Sequence, residues 1–309
     1  MKIQLPTLRE TLWTVAIIVC YFLAAGYFIG LRTEHFLLTG VFLALFLPTR
    51  ATRKLGIALL PFALFGISYD WMRVFPNYEL RAIDVQGLYE AEKSLFGIVS
   101  DGVRLTPSEY FAQHRHLVCD VMAGLFYLCW VPVPMAFAVW LYISGQRKVY
   151  LHFVLAFLLV NFLGFAGYYI HPAAAPWYVM QHGFDPIIGT PGNVAGLARF
   201  DQLIGIPVFD AIYGRNSNVF AAVPSLHSAY MVVTLFYAVV SRQRKWLLAL
   251  FAFIMAGIWW TAVYTAHHYV IDVLLGIGCA LLGILLFEQV LVRWHPFRRF
   301  LERYYRYIK

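Results

Sequence analysis

The chain has 309 residues, of which 61% are hydrophobic and only 13% are charged, and its formal net charge is +8. A soluble domain carries about 25% charged residues, so this composition excludes an ordinary soluble protein and predicts one that lipid solvates over much of its surface. The Lys and Arg residues cluster between apolar runs, which is typical of membrane-topology signals and not of nucleic-acid binding.

Eight apolar runs follow one another along the chain, and they predict an all-α, polytopic transmembrane helix bundle. A span needs about 20 apolar residues. Because the second and third runs are short, they are either thin or tilted spans or one broken re-entrant pair, which leaves six to eight spans. The first run is too long for a removable signal peptide. The runs cover residues 11–31, 35–48, 55–69, 117–143, 149–170, 225–240, 246–266 and 268–292.

Basic clusters predict the orientation of this bundle. They precede the first run, separate the second from the third, the fourth from the fifth and the sixth from the seventh, and follow the eighth. With six or eight spans they all fall on one side, which the positive-inside rule assigns to the cytoplasm. The clustered residues are Lys2, Arg9, Arg50, Arg53, Lys54, Arg147, Lys148, Arg242, Arg244, Lys245, Arg293, Arg298, Arg299, Arg303, Arg306 and Lys309.

Two long segments then lie on the non-cytoplasmic side, and they complete the domain organisation. Residues 71–116 mix charged and apolar residues and predict interfacial amphipathic helices. Residues 171–224 are rich in Pro and Gly and predict an ordered loop or lid instead of a helix. We therefore expect N-terminal spans over 1–70, the interfacial segment, a catalytic transmembrane core over 117–292 and a basic cytoplasmic tail over 293–309.

Two short motifs place histidines at the edges of apolar runs: PSLHS at 224–228 and HHYVID at 267–272. On a helix, His268 and Asp272 stand at i and i+4, so the carboxylate can hold one ring nitrogen and leave the other as a nucleophile or base. His227 supplies a second imidazole that can give and take a proton. A lone histidine at a span end is typical of an interface, but an aspartate one turn inside a span is costly without a function.

These motifs resemble the second and third motifs of the type 2 phosphatidic acid phosphatase superfamily. Within it they are most similar to the inositol phosphorylceramide synthases of fungi and their bacterial relatives, and the APWY segment at 175–178 supports the same branch. The resemblance covers about residues 117–292. It implies His268 as the nucleophile, Asp272 as its orienter and His227 as the proton donor and acceptor.

Two departures from the superfamily pattern indicate the substrate. Superfamily phosphatases carry a Lys-x6-Arg-Pro motif, which is missing here, and an Arg six residues before the nucleophilic histidine, where this chain has Ala262. A phosphate monoester brings about two negative charges near neutral pH and a diester only one. A site with fewer cations should therefore favour a diester, as in the transfer of a lipid head group.

Five further residues are candidates for substrate binding. Ser225 can cap its helix while it offers its amide or hydroxyl to a phosphate. Arg215 and His171, in the second non-cytoplasmic segment, could supply phosphate contacts, and Tyr178 and His267 complete the set. For the loop residues, an ordinary solvated position is the competing interpretation.

No metal or cofactor is predicted. Both motif histidines have a catalytic role in this hypothesis, and no carboxylate cluster accompanies them. The cysteines all lie inside apolar runs, so neither a disulfide framework nor a metal site is indicated. They are Cys20, Cys119, Cys129 and Cys279.

We therefore expect a membrane phosphotransferase that moves phosphoinositol from phosphatidylinositol to ceramide through a phosphohistidine and makes inositol phosphorylceramide. The alternatives within enzymes are a lipid phosphatase of the same superfamily and an ethanolamine or choline head-group transferase. A transporter would carry charged residues across several spans, whereas here they crowd one face. We expect the protein to lie in a bacterial inner membrane with its site facing the periplasm. We expect neither nucleic acid nor an obligate protein partner.

Overall fold

The computed structural model describes residues 4–214 and 218–309, and within them it is almost entirely helical. The predicted all-α fold is confirmed. The helices are α1 (Leu8–Phe28), α2 (Thr33–Phe46), α3 (Arg50–Ala58), α4 (Leu60–Trp71), α5 (Gln86–Phe96), α6 (Pro107–Gln113), α7 (Leu117–Tyr127), α8 (Pro132–Ile143), α9 (Arg147–Ile170), α10 (Pro176–His182), α11 (Ala198–Ile204), α12 (Val208–Tyr213), α13 (Leu226–Val240), α14 (Lys245–Tyr264), α15 (Val270–Leu285) and α16 (His295–Ile308).

Several of these helices are long and apolar enough to cross a membrane, so the chain is a membrane protein. By length and hydropathy, five stretches of the described chain qualify: α1, α7 with α8, α9, α14, and α15 with the π-helical turn that follows it. The pair α3 and α4, bent by 44°, passes the same test as one broken span or re-entrant loop. The shorter apolar helices α2 and α13 account for the remaining two apolar runs of the sequence.

The chain divides into two compact units, residues 1–75 with 291–309 and residues 76–290. In the larger unit, α13 packs against α9, α14 and α15. Glycine allows these close approaches: a Cβ at Gly276 of α15 would overlap the carbonyl of Ser225, and one at Gly164 of α9 would lie 2.5 Å from Leu226. Small residues bring backbones together in membrane bundles. The two histidine motifs therefore begin neighbouring helices.

A β-hairpin in the segment that precedes the core departs from the sequence prediction. Helices alone were predicted between residues 71 and 116, but the strands β1 (Ile98–Ser100) and β2 (Val103–Leu105) pair there in antiparallel register. Asp101 and Gly102 connect them with φ values of 49° and 78°. An Asp-Gly pair with positive φ at both positions is the turn that two-residue hairpins favour. The prediction missed this turn signal.

The segment rich in Pro and Gly is also more regular than predicted. The sequence predicted a loop over 171–224, but the structure forms α10, α11 and α12 there. Pro176 stands at the first position of α10, where its missing N–H costs nothing, and Gly183 follows that helix with φ 72°. Gly205, with φ 70°, ends α11. Proline and glycine delimit short helices here instead of preventing them.

The smaller unit contains α1 to α4 and the tail helix α16. In it α2 packs on α3, and α3 packs on α16. Tyr304 in α16 donates its hydroxyl to the carbonyl of Ile57 at 2.6 Å. At the start of α1, Thr7 and Glu10 form a capping box, which satisfies backbone N–H groups that a helix leaves free at its N-terminus.

Candidate active site

The second motif forms a tight turn between α14 and α15. The backbone N–H groups of His267 and His268 both donate to the carbonyl of Ala262, at 3.0 and 2.9 Å, and Ala266 turns the chain with φ 61°. Ala262 is fully buried. At this position, where superfamily phosphatases carry an Arg, the structure therefore has a small side chain whose carbonyl holds the two histidines.

The two histidines that are predicted to be catalytic meet directly. His227, in the first turn of α13, brings its Nδ1 within 3.0 Å of Nε2 of His268. His268 Nδ1 in turn lies 3.4 Å from Oδ2 of Asp272. On the far side, His227 Nε2 lies 3.2 Å from the hydroxyl of Tyr213 in α12. The structure thus brings together all three predicted catalytic residues, and it adds a tyrosine that the sequence did not indicate.

This chain of contacts fits one tautomer of each ring. An ionised carboxylate only accepts, so Asp272 calls for a proton on Nδ1 of His268, whose Nε2 then carries the lone pair. His227 must therefore donate Nδ1–H to that lone pair, and its own Nε2 accepts from Tyr213. In this state Nε2 of His268, the nitrogen predicted to be the nucleophile, accepts a hydrogen bond from His227. A phosphate can therefore reach it only when the two rings separate.

Asp272 is fully buried and held from two directions. Its Oδ2 accepts the backbone N–H of Tyr269 at 2.9 Å, which also caps α15, and its carbonyl accepts the N–H of Ser225 at 3.0 Å. The first contact gives the buried carboxylate a polar partner, which a buried charge needs, and the second fixes the main chain. The contact with Ser225 joins the two motifs through their main chains, so the position of the aspartate depends on both.

Aromatic rings enclose His227. Tyr127 stacks on it with ring centroids 5.0 Å apart and planes at 18°, and Trp130 lies at 4.5 Å. Tyr127 is fully buried. Rings of this kind exclude water, and charge interactions are stronger in such a low-dielectric site than in bulk water.

His267 is a buried acceptor beside the catalytic pair. The hydroxyl of Thr265 donates its one hydrogen to the carbonyl of Thr261 at 2.7 Å. Its oxygen therefore accepts the hydrogen bond from Nδ1–H of His267 at 3.0 Å. Burial lowers the pKa of His267 to about 3, and the ring is therefore neutral. Its Nε2 carries a lone pair and has no hydrogen-bond partner among the described residues.

The other substrate-binding candidates are placed as follows. Ser225 is buried, and its hydroxyl accepts from the N–H of Ser228 at 3.4 Å as the cap of α13. His171 pairs with Asp84 at 3.2 Å, and the hydroxyl of Tyr178 donates to the carbonyl of Asp185 at 2.9 Å. In the described chain, neither side chain bonds to the catalytic three. Arg215 lies outside the described residues.

Glu92, on the buried face of α5, is a second residue that the sequence reasoning missed. Its two carboxylate oxygens accept the backbone N–H groups of Val270 and Ile271, at 2.9 and 3.1 Å, so it anchors the first turn of the helix that carries Asp272. Burial raises the pKa of Glu92, and the two N–H groups oppose that shift. A carboxylate on the apolar face of a short amphipathic helix is the signal that could have found it.

Replacing this carboxylate with an amide tests whether it positions the site. In Glu92→Gln, one oxygen must serve two N–H donors, and hydrogen bonds to a charged group contribute about 1.5–3 kcal/mol. We expect kcat to fall at least tenfold with KM for the donor lipid unchanged, measured by steady-state transfer. Glu90→Gln, on the exposed face of α5, is the matched control. A parent-like kcat in Glu92→Gln would contradict the positioning role.

No group of three His, Cys, Asp or Glu side chains that could hold a metal ion occurs among the described residues. This arrangement can carry out nucleophilic group transfer, because a neutral imidazole with an oriented lone pair lies next to a second imidazole that carries a proton.

The chain belongs to the PAP2 superfamily, whose family model matches residues 103–286, more than half of the sequence. The predicted resemblance is therefore confirmed. The matched range contains His227, His268 and Asp272, whereas Glu92 lies outside it.

Individual relatives are similar over different lengths. The phosphoinositol dihydroceramide synthase of Bacteroides thetaiotaomicron is 60% identical over 99% of this chain and 100% of its own length. The inositol phosphorylceramide synthase of Candida albicans is 31% identical over 58% of this chain and 37% of its own length. The inositol phosphorylceramide synthase catalytic subunit of Saccharomyces cerevisiae is 28% identical over 73% of this chain and 55% of its own length. No solved structure matches.

Proposed function

We propose that this protein is a membrane phosphotransferase that moves phosphoinositol from phosphatidylinositol to a ceramide-type acceptor. The observation that carries this proposal is the pair of contacts at His268, with Asp272 behind one ring nitrogen and His227 in front of the other. The full-length similarity to a phosphoinositol dihydroceramide synthase supports the head group, and it favours dihydroceramide as the acceptor.

The proposed reaction consists of two in-line displacements. His268 Nε2 attacks the phosphorus of the donor lipid and the bond to the diacylglycerol oxygen breaks, while His227, protonated on both ring nitrogens when the anionic diester is bound, gives its Nδ1 proton to that oxygen and becomes neutral. The primary hydroxyl of the acceptor then loses its proton to His227 and attacks the phosphohistidine, which frees His268. Two displacements imply retained configuration at phosphorus and ping-pong kinetics.

The site favours this diester chemistry over the phosphatase alternative. Ala262 removes the cation that would neutralise the second charge of a monoester, and its carbonyl holds the histidine turn. Arg199, the cation on α11, is bound through Nε to Asp120 at 2.6 Å. The aromatic enclosure of His227 further protects a phosphohistidine from water, which would turn the transferase into a hydrolase.

His267 supports a head group that carries hydrogen-bond donors, such as inositol, over choline. Its buried Nε2 lone pair calls for a hydrogen-bond donor, and an inositol ring carries several. A choline head group has no such donor, so the nitrogen would stay desolvated and unpaired at a cost of about 1–3 kcal/mol. We therefore propose His267 as a head-group contact.

Purified protein and a panel of labelled phospholipids test the function. In detergent, with and without dihydroceramide, we expect a new inositol-containing sphingolipid only when phosphatidylinositol and the acceptor are both present, as resolved by thin-layer chromatography. Phosphatidylcholine and phosphatidylethanolamine serve as control donors. Release of phosphate from phosphatidic acid, with no new sphingolipid, would instead support the phosphatase.

We propose an inner-membrane location with the site facing the periplasm. In a background without the four native cysteines, Ile188→Cys is expected to react with an impermeant maleimide in intact cells, because the residue is exposed in the segment before α11. Ser144→Cys, exposed in the turn between α8 and α9, should react only after the membrane is opened. The reverse labelling would refute the orientation.

A further inference from the structure

A basic cavity of about 670 Å³ opens in the unit formed by residues 4–75 and 291–309. Its volume lies within the range of ligand pockets, about 300–1,000 Å³. Among the described residues, five cationic side chains and one carboxylate line it, contributed by α1, α3 and α16. They are Arg50, Arg53, Lys54, Arg303, Arg306 and Glu10.

Arg53 forms the fixed part of this basic cavity. It is 6% exposed, and it donates from Nε to the carbonyl of Phe46 at 3.0 Å and from Nη2 to the carbonyl of Gln4 at 2.8 Å. Its Nη1 lies 3.9 Å from Glu10. These bonds hold Gln4 against α3. One wall of the cavity therefore consists of a buried side chain that is fixed by hydrogen bonds to the backbone.

The remaining cations are not matched by carboxylates at the cavity: Arg50 joins Arg53 in attracting Glu10, the one carboxylate that lines it among the described residues. Within residues 4–214 and 218–309, Arg50, Lys54 and Arg303 form no ion pair, and Arg306 only donates to a backbone carbonyl of its own helix. Oε2 of Glu10 accepts hydrogen bonds from the backbone N–H and the hydroxyl of Thr7. Like charges gathered around one cavity repel each other, and a bound anion would relieve this repulsion.

Apolar residues at the same cavity indicate where the anion comes from. Leu5 lines it and is exposed, as is Tyr307 at the end of α16. Leu8, in the first turn of the long apolar helix α1, is exposed as well. A cationic cavity beside the end of a membrane helix and flanked by exposed apolar side chains fits a charged head group whose acyl chains stay in lipid.

We propose that the basic cavity binds the phosphate of an anionic phospholipid head group. Arginine presents a planar fork of donors that matches phosphate oxygens, and lysine adds a point charge. The cluster belongs to the basic side of the bundle, and the anionic lipids of the cytoplasmic leaflet attract such groups. This site takes a lipid as a bound ligand, and it is independent of the phosphotransfer chemistry proposed for His268.

Native mass spectrometry in detergent tests the site with dioctanoyl phosphatidic acid, dioctanoyl phosphatidylcholine and inorganic pyrophosphate as probes. The variant Arg50→Gln/Lys54→Gln/Arg303→Gln removes three cations from the cavity wall and keeps Arg53. The control Arg298→Gln/Arg299→Gln/Lys309→Gln removes the same charge from exposed positions that do not line the cavity. Thermal unfolding of each variant reports whether it is folded.

We expect phosphatidic acid to bind the parent and the control at least tenfold more tightly than the cavity variant, with phosphatidylcholine weak on all three. Pyrophosphate that binds as tightly as the lipid, with the same loss in the cavity variant, would overturn the lipid as the ligand while leaving a phosphate site. Equal binding by the cavity variant and the control would overturn the site. If the triple variant unfolds, Arg303→Gln against Arg298→Gln decides by the same comparison.

Discussion

Replacing His268 with alanine is expected to abolish head-group transfer and to leave no phosphoenzyme to trap. In the proposed mechanism its Nε2 forms the bond to phosphorus, whereas His227 moves the proton and the Nε2 lone pair of His267 contacts the head group, so neither takes its place. Loss of a nucleophile that acts within a catalytic unit costs on the order of 10⁶ in rate. Transfer and acid-labile labelling by a phosphorus-labelled donor measure the two effects.

His227→Ala is the informative comparison for this experiment. This residue moves protons and does not bond to phosphorus, so we expect both half-reactions to slow by about 10²–10⁴-fold while donor binding persists. A donor with a good leaving group should restore phosphoenzyme formation in His227→Ala and not in His268→Ala. Normal turnover of His268→Ala would exclude it as the nucleophile.

The proximity of the three candidate catalytic residues was predictable because two of them are local in sequence. His268 and Asp272 are four residues apart, and a helical turn brings such positions together whatever surrounds them. His227 was expected nearby because its helix emerges on the same side. What the sequence could not reveal is the direct contact of the two imidazoles, which depends on how closely α13 and α15 approach at Gly276.

The residues that support the centre were not predictable in the same way. Glu92 meets Val270 across 178 residues of sequence, and Tyr213 reaches His227 from a segment that was expected to be a loop. Contacts of this kind arise from tertiary packing, which periodicity does not encode. The hairpin at Asp101 and Gly102 was missed for a different reason, since its turn signal lay in a short segment predicted to be helical.

Asp272→Asn is expected to keep the fold and to lower the transfer rate by about 10²–10⁴-fold. The asparagine oxygen can still accept the N–H of Tyr269 and cap α15. The same oxygen position faces Nδ1 of His268, so the ring keeps its orientation while the negative charge beside it is lost, and the NH₂ group takes the place of Oδ1, which has no hydrogen-bond partner among the described residues. An amide also stabilises an imidazolium less than a carboxylate does.

Three measurements separate this effect from unfolding. Thermal unfolding should stay near that of the parent, phosphoenzyme formation in a single turnover should slow as much as kcat, and KM for the donor should change little, because the substitution alters the nucleophile and not the lipid contacts. Ser225→Ala is a useful companion, since it keeps the backbone N–H that donates to the carbonyl of Asp272. An Asp272→Asn rate within about threefold of the parent, a barrier difference of about 0.7 kcal/mol, would show that the aspartate is structural and that His268 is oriented by the backbone turn at Ala262 alone.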